Sequence, residues 1–356
     1  MTKRTLPSRK VTIKDVAADV GVSLQTISRV LNKSPNVSGK VREKVEEAFS
    51  RLGYSPSLAA RRMGGSKSFL LLALNDRNRT IETWRLREGM DWVDQMLLGG
   101  MLTCAEHGYR MILELVDTHS DNIDAELGNA LSALRPDGVI LTPPHSDNER
   151  ILNILSAQGV RCARIGGFDD IGGTIIRMDD RAAGHECVAY LAGLGHRRIG
   201  FITGDPDYKL SGERLAGFTA AVAELGLESD PALVARGDFG YDSGLAASQE
   251  LLSLERPPTA IIASSDQMAL AVMAVARDKG LAMPDQLSII GFDDTPIART
   301  TVPALTAVSQ PVAAMTARAA EVLIQPDGKV ARGAGGRPHV IPFELAVRGS
   351  TGPAPR

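Results

Sequence analysis

The sequence predicts two unlike parts: an all-α helix-turn-helix headpiece, then a larger α/β body in two lobes. Three observations carry this reading. Residues 11–52 hold capped, amphipathic helical segments around a glycine. From Phe69 onward, short apolar runs alternate with helical segments. The charge is also split: residues 1–67 carry 14 Lys/Arg against 5 Asp/Glu, whereas the rest carries 26 against 37. A basic head on an acidic body is the asymmetry expected when one end meets a polyanion.

The first element opens at Thr12, which with Asp15 forms a capping-box pattern. Ile13, Val16, Ala17 and Val20 repeat at helical spacing, and Gly21 supplies the left-handed residue that ends the helix. Ser23 is placed to cap a second helix, whose Ile27, Val30 and Leu31 turn inward. Leu24, Gln25, Ser28 and Arg29 are left facing outward, a set suited to base edges and phosphates in a major groove. A third helix is expected from about Ser38 to Leu52 on the stripe Val41, Val45, Ala48 and Leu52. The segment after Pro56 favours a helix over Leu58–Met63, stopped by Gly64-Gly65. Arg61 and Arg62 there suit phosphates, and Met63 suits an apolar wedge at a minor-groove step; a plain linker is the alternative.

In the body, strands are expected at 69–74, 110–115, 138–142, 161–166, 198–204, 259–264 and 287–292. Helices are expected near 91–107, 125–134, 148–158, 180–194, 212–224, 242–253 and 266–279. This rhythm implies parallel sheets covered by helices, and about 280 residues favour two lobes over one sheet. Ligands in such folds sit at the carboxyl ends of strands, here in a cleft between lobes.

Several classes find no support. Cys104, Cys162 and Cys187 lack metal-ligand spacing and fit buried thiols in a reducing compartment. No metal or cofactor is expected. The acidic pairs Asp169-Asp170, Asp179-Asp180 and Asp293-Asp294 accompany no nucleophile elbow, P-loop or dinucleotide fingerprint, and His196 before a strand fits a structural role. No apolar run is long enough to span a membrane, and the basic N-terminus lacks an apolar region after it. A cytoplasmic protein that is not an enzyme is therefore expected.

The motifs DVA at 15–17, GVS at 21–23, TISRVLN at 26–32, VSGKVREKVEEA at 37–48 and LGYSP at 52–56 resemble the headpiece of the lactose-repressor (LacI) family of transcription regulators. GHRRIGFITG at 195–204, GERLAGF at 212–218, SSDQMALAVM at 264–273 and SIIGFDD at 288–294 resemble its effector domain, which is similar to periplasmic sugar-binding proteins. The resemblance implies a DNA-binding headpiece at 1–55, a hinge helix and linker at 56–67, and an effector-binding and dimerisation domain at 68–351. Its lobes would be 68–168 plus 295–325, and 169–294 plus 326–348. DNA-facing positions implied are Thr12, Ser23, Leu24, Gln25, Thr26, Ser28, Arg29 and Asn32, with Ala60, Arg61 and Met63 in the hinge.

The resemblance further implies that Arg214, Asp266 and Phe239 grip an effector, with Asp293 near them. A guanidinium, a carboxylate and an aromatic face are the groups a sugar needs. By residue type alone, Arg214 equally fits an ion pair, Asp266 a helix cap and Phe239 a core aromatic. The chain departs from the family at about 78–88, where roughly ten extra polar residues include Trp84. Because this follows the first strand, Asn75, Asp76, Arg77 and Trp84 are candidates for reshaping the pocket, against a plain solvated loop. The implied function is a dimeric, ligand-responsive regulator, in most relatives a repressor. It would bind a near-palindromic double-stranded operator under control of a small carbohydrate effector. The alternative is a cytoplasmic solute-binding or sugar-processing protein without DNA regulation. The C-terminal RGSTGPAPR carries no heptads for a tetramerising helix.

Overall fold

The structure is a computed structural model that describes residues 11–31, 36–54, 67–87, 89–168, 171–325 and 337–355. The hinge expected over 56–65, together with Asn32, Ala60, Arg61, Met63 and the Asp169-Asp170 pair, lies outside the described residues.

The headpiece contains α1 (Ile13–Val20), α2 (Leu24–Leu31) and α3 (Gly39–Leu52). The Thr12 backbone N–H and Oγ1 both donate to Asp15 Oδ2, at 2.7 and 2.6 Å, fixing the first turn. Gly21 ends α1 with φ 72°, a conformation that costs any residue with a Cβ. Val16, Ile27, Val30 and Val45 are buried where the three helices meet, and Val41, Phe49 and Leu52 pack around them. This small core fixes α2 by its inner face and leaves Leu24, Gln25 and Arg29 exposed on the other.

In chain order the body contains β1 (Leu70–Asp76), α4 (Arg77–Leu86), α5 (Asp91–Glu106), β2 (Arg110–Val116), α6 (Ile123–Leu134) and β3 (Gly138–Leu141). It continues with α7 (Glu149–Ala157), β4 (Cys162–Ile165), β5 (Thr174–Arg177), α8 (Asp180–Gly193), β6 (Ile199–Ile202) and α9 (Lys209–Glu224). Then come β7 (Val234–Ala235), α10 (Tyr241–Leu252), β8 (Ala260–Ala263), α11 (Asp266–Asp278) and β9 (Ser288–Asp293). The last elements are β10 (Thr306–Ser309), α12 (Val312–Ile324), β11 (His339–Val340) and β12 (Glu344–Ala346).

Two six-stranded sheets form, in the orders β11-β5-β4-β3-β1-β2 and β12-β10-β9-β8-β6-β7. Apart from the antiparallel β10–β12 edge, the registered pairs are parallel. Such sheets are covered on both faces, which is why β1, β3, β6 and β8 read as continuous apolar runs rather than alternating ones.

The sheets correct the expected lobe boundaries. β5 belongs to the first sheet, so the first crossing falls after Arg177 rather than at 168. β10 joins the second sheet although 295–325 was expected in the first lobe, and β11 returns to the first sheet before β12 re-enters the second. The chain thus passes between lobes at 178–179, 310–311 and 341–343. The physical reason is pairing: β10 registers on β9 from Thr306 to Ser309, and only then does α12 pack on α5, β3, β4 and β5. The segment expected as a polar insertion loop is α4, a regular helix.

Candidate DNA-reading face and effector cavity

On α2, Ser23, Leu24, Gln25 and Arg29 are exposed, and Thr26 and Ser28 are half-buried. Ser23 Oγ accepts from the Thr26 N–H at 3.1 Å, so it caps the helix as expected. Leu24 is 44% exposed although apolar, which suits a group that contacts another surface. Thr12 lies half-buried at the start of α1.

In the body, a cavity of about 300 Å³ opens between the lobes. Its wall gathers the carboxyl ends of strands: Asn75 and Asp76 from β1, Ser265 after β8, Asp293 from β9 and Gln310 after β10. The wall is thus drawn from both sheets, at the strand ends where α/β folds characteristically place a ligand.

Arg214 reaches the cavity from α9 and is nearly wholly buried. Its Nε donates to Asp180 Oδ1 at 2.8 Å and its Nη1 to the Ser264 carbonyl at 2.9 Å. The guanidinium carbon lies 4.3 Å from the centre of the Phe292 ring. Both partners of the ion pair are 2–3% exposed, so the arginine is held rigidly and pointed. Gly184 makes this possible, because a Cβ there would fall 2.3 Å from the Arg214 carbonyl oxygen and force α8 and α9 apart. Burial nevertheless raises the Asp180 carboxyl above its usual range, against the opposing pull of Arg214.

Asp293 also lines the cavity, with φ 114° and Gln310 Nε2 donating to its Oδ1. Burial lifts its carboxyl from 3.8 to about 6, against the lowering effect of Arg214. Asp266 corrects an expectation. It does not line the cavity: it is wholly buried, and its Oδ2 accepts from the Thr295 N–H and Oγ1 at 2.7 and 2.8 Å. Its Oδ1 is buried with no hydrogen-bond partner. Burial first, then the Asp293 charge, pushes this acid well above the usual carboxylate range. The helix cap considered for it falls to Ser265, whose Oγ accepts from the Met268 N–H. Asp266 therefore braces the floor under Asp293.

Phe239 stands in the cavity wall with φ 74°. Asn75 and Asp76 line it too, but both are committed: Asn75 donates to Thr80 and accepts from Thr142, while Asp76 accepts from the Arg79 N–H and Thr118. Trp84 is a second correction. It is 42% exposed and absent from the cavity wall, although Thr80, one helical turn before it, lines that wall. The tryptophan in the wall is Trp92, at the start of α5. Arg77 binds the Leu115 carbonyl and Glu126 instead of the cavity, and Asp294 pairs with Arg348. His196 is structural, joining Thr259, Ser288 and the Gly352 carbonyl.

Sequence reasoning missed Arg79, Trp92, Tyr208 and Gln310 in the wall. Gln310 was legible only through β10, whose four apolar-to-polar residues TAVS give too short a signal. Arg79 required the insertion to be read as a helix.

Residues 12–57 match the profile of "Bacterial regulatory proteins, lacI family", and residues 188–351 match a "Periplasmic binding protein-like domain". The regulator CelR of Thermobifida fusca is 33% identical over 320 residues, covering 89% of this chain and 92% of CelR. This chain belongs to the lacI family of DNA-binding transcription regulators. The repressor CytR of Escherichia coli K12 is 30% identical over 96% of both chains. Among solved structures, a CelR–cellobiose complex has TM-score 0.70 at 30% identity, covering 96% of this chain and all of that one. A lac repressor dimer bound to operator and an anti-inducer has TM-score 0.76 at 26% identity, covering 97% and 100%. Among the described residues, no helix is long and apolar enough to cross a membrane.

Proposed function

We propose that this lacI-family regulator is a dimeric repressor that reads a near-palindromic operator with α2 and responds to a small sugar bound between its lobes. It acts in the cytoplasm and catalyses no reaction. The observation that carries the effector reading is the cavity wall. A buried, pre-aimed guanidinium (Arg214), an acid (Asp293), an amide (Gln310) and aromatic faces (Trp92, Phe239) converge there from both lobes. Paired donors and acceptors fix hydroxyl groups, and aromatic faces cover the C–H surface of a pyranose. CelR, similar over almost the whole chain, has been captured with cellobiose, which supports a sugar here.

On DNA, Gln25 is suited to a bidentate pair with adenine, Arg29 to guanine or phosphate, and Leu24 to a thymine methyl. Pairing of two chains is supported by an apolar face on α5: Leu98, Met101 and Leu102 are 48%, 53% and 57% exposed at helical spacing. The test is a mobility-shift assay of the full chain on DNA selected from a random pool, with and without sugars of defined size. Sequence-selective binding weakened by one sugar class supports the reading. Binding that is unselective at every salt concentration overturns it.

A further inference from the structure

The insertion helix α4 is anchored to one lobe but sends a single side chain to the other. Asp76 caps it through the Arg79 N–H at 2.9 Å, and Thr118 Oγ1 donates to the same carboxylate at 2.7 Å. Arg77 ties the first turn to the Leu115 carbonyl and to Glu126. Asn75 Nδ2 donates to Thr80 Oγ1 beneath it. All of these partners belong to the first lobe. The helix is therefore a fixed roof beam over the cavity, and Thr80, Thr83 and Leu86 are in the cavity wall.

Arg79 leaves this foundation and crosses the opening. Its guanidinium carbon is 5.1 Å from the Phe239 ring centre and 5.4 Å from the Tyr208 ring centre, both in the second lobe. Those two rings meet edge to face at 5.5 Å and form a small aromatic shelf. Gly204 closes against Phe239, since a Cβ there would fall 2.1 Å from the ring, which leaves that side no room for a ligand. The accompanying ion pair to Asp205 is long, 3.9 Å, and both side chains are partly exposed, so the shelf is the principal contact. His119 and Asp207 make a second, more exposed crossing contact at 3.3 Å.

We propose that Arg79 is a latch: it occupies the aromatic shelf of Phe239 and Tyr208, ties the fixed helix α4 to the second lobe across the cavity opening, and competes with any ligand that stacks on Phe239. This rests on reading the cavity as the effector site and deepens it, because entry then requires the arginine to be displaced. The insertion thereby sets which ligands enter: only one that offers the shelf a better face than a guanidinium displaces it. Lysine would not substitute, because its compact ammonium lacks the planar surface that stacks.

The chain's two tryptophans make a direct test, since Trp84 sits on α4 outside the cavity and Trp92 lies in its wall. In full-length Trp84→Phe protein, Trp92 is the sole reporter, and acrylamide quenching reads access to the cavity without any sugar. Adding Arg79→Ala should raise the quenching constant at least twofold. Phe239→Ala should do the same, and Arg79→Lys should resemble alanine. Arg85→Ala, on the exposed side of the same helix, should leave quenching unchanged. Equal quenching in the Arg79→Ala and parent proteins overturns the latch, and protection retained by lysine overturns the stacking on the shelf. Neither result touches the sugar reading, which the operator assay decides separately.

Discussion

Arg214 and Asp180 are a buried pair whose two roles can be separated. Removing one partner of such a pair leaves an uncompensated charge, typically at a cost of about 3–5 kcal/mol. Arg214→Ala should therefore lower the thermal midpoint markedly, because Asp180 is 3% exposed and already raised by burial. Adding Asp180→Asn removes the stranded charge and should restore most of the lost midpoint. Effector response should not return in the double variant, because the donor fork is still missing. A double variant that regains response in an operator-release assay would show that Arg214 serves the fold alone.

Asp293 gives a pH signature of definite sign. Its carboxyl titrates at 3.8 when unfolded and at about 6 in the folded body, chiefly through burial. The native state holds this proton more tightly, so the contribution to stability is complete below pH 3.8 and is lost as pH rises through about 6. Asp293→Asn keeps the acceptor for Gln310 and a side chain that tolerates positive φ, but cannot ionise beside Asp266. Its stability relative to the parent should rise between pH 4 and pH 7 by about 1–3 kcal/mol. Urea titrations at both pH values measure this, and a pH-independent difference would refute it.

At the scale of elements, legibility followed the length of each signal. α1 and α3 were readable because capping residue, closing glycine and apolar stripe agree, α2 because Ser23 and its apolar stripe do, and β1, β6 and β8 because LLLAL, IGFI and AIIA are unbroken by polar residues. Strands without such a run were not: β5, β7, β10, β11 and β12 hold at most two consecutive apolar residues each, and their existence depends on neighbours distant in sequence. Because β10 and β11 mark the crossings, the lobe boundaries were misplaced with them. α4 escaped for another reason: RNRTIETWRL is polar nearly throughout, so no apolar stripe announced a helix. Its stability comes from Asp76 and Arg77, that is, from tertiary anchoring.

Two predictions belong to elements. The outer face of α2 should read sequence through Gln25, so Gln25→Ala should cost about 1–3 kcal/mol at one base pair of each half-site while sparing non-specific binding. Competition assays against single-base operator variants would detect this, and a uniform loss across all DNA would assign Gln25 to the backbone instead. The α5 face continues into edge strand β2, where Ile112 is 36% exposed. Leu98→Asp with Leu102→Asp should shift the chain toward monomer in sedimentation, weakening association at least tenfold, about 1.4 kcal/mol or more. An unchanged oligomer would place the interface elsewhere.

At the scale of the whole molecule, the proposed function makes the basic headpiece the output and the acidic body the input of one switch. The coupling between them is a free energy, and it acts equally in both directions. A sugar that weakens operator binding by some factor must itself bind the operator complex more weakly by the same factor, about 5- to 150-fold for ordinary allosteric coupling. The two ends should nevertheless answer salt differently. Operator affinity should fall steeply with ionic strength, because residues 1–67 carry a net excess of nine positive charges that displace counterions from phosphates. Sugar affinity of the free protein should stay nearly flat, since a neutral ligand releases no counterions. Calorimetric titration of the sugar into free and operator-bound protein, at two salt concentrations, gives all four constants. A sugar affinity lowered by bound operator at each salt shows that the two sites are coupled. A sugar whose affinity ignores bound operator would show that occupancy of the cleft and release of DNA are unconnected.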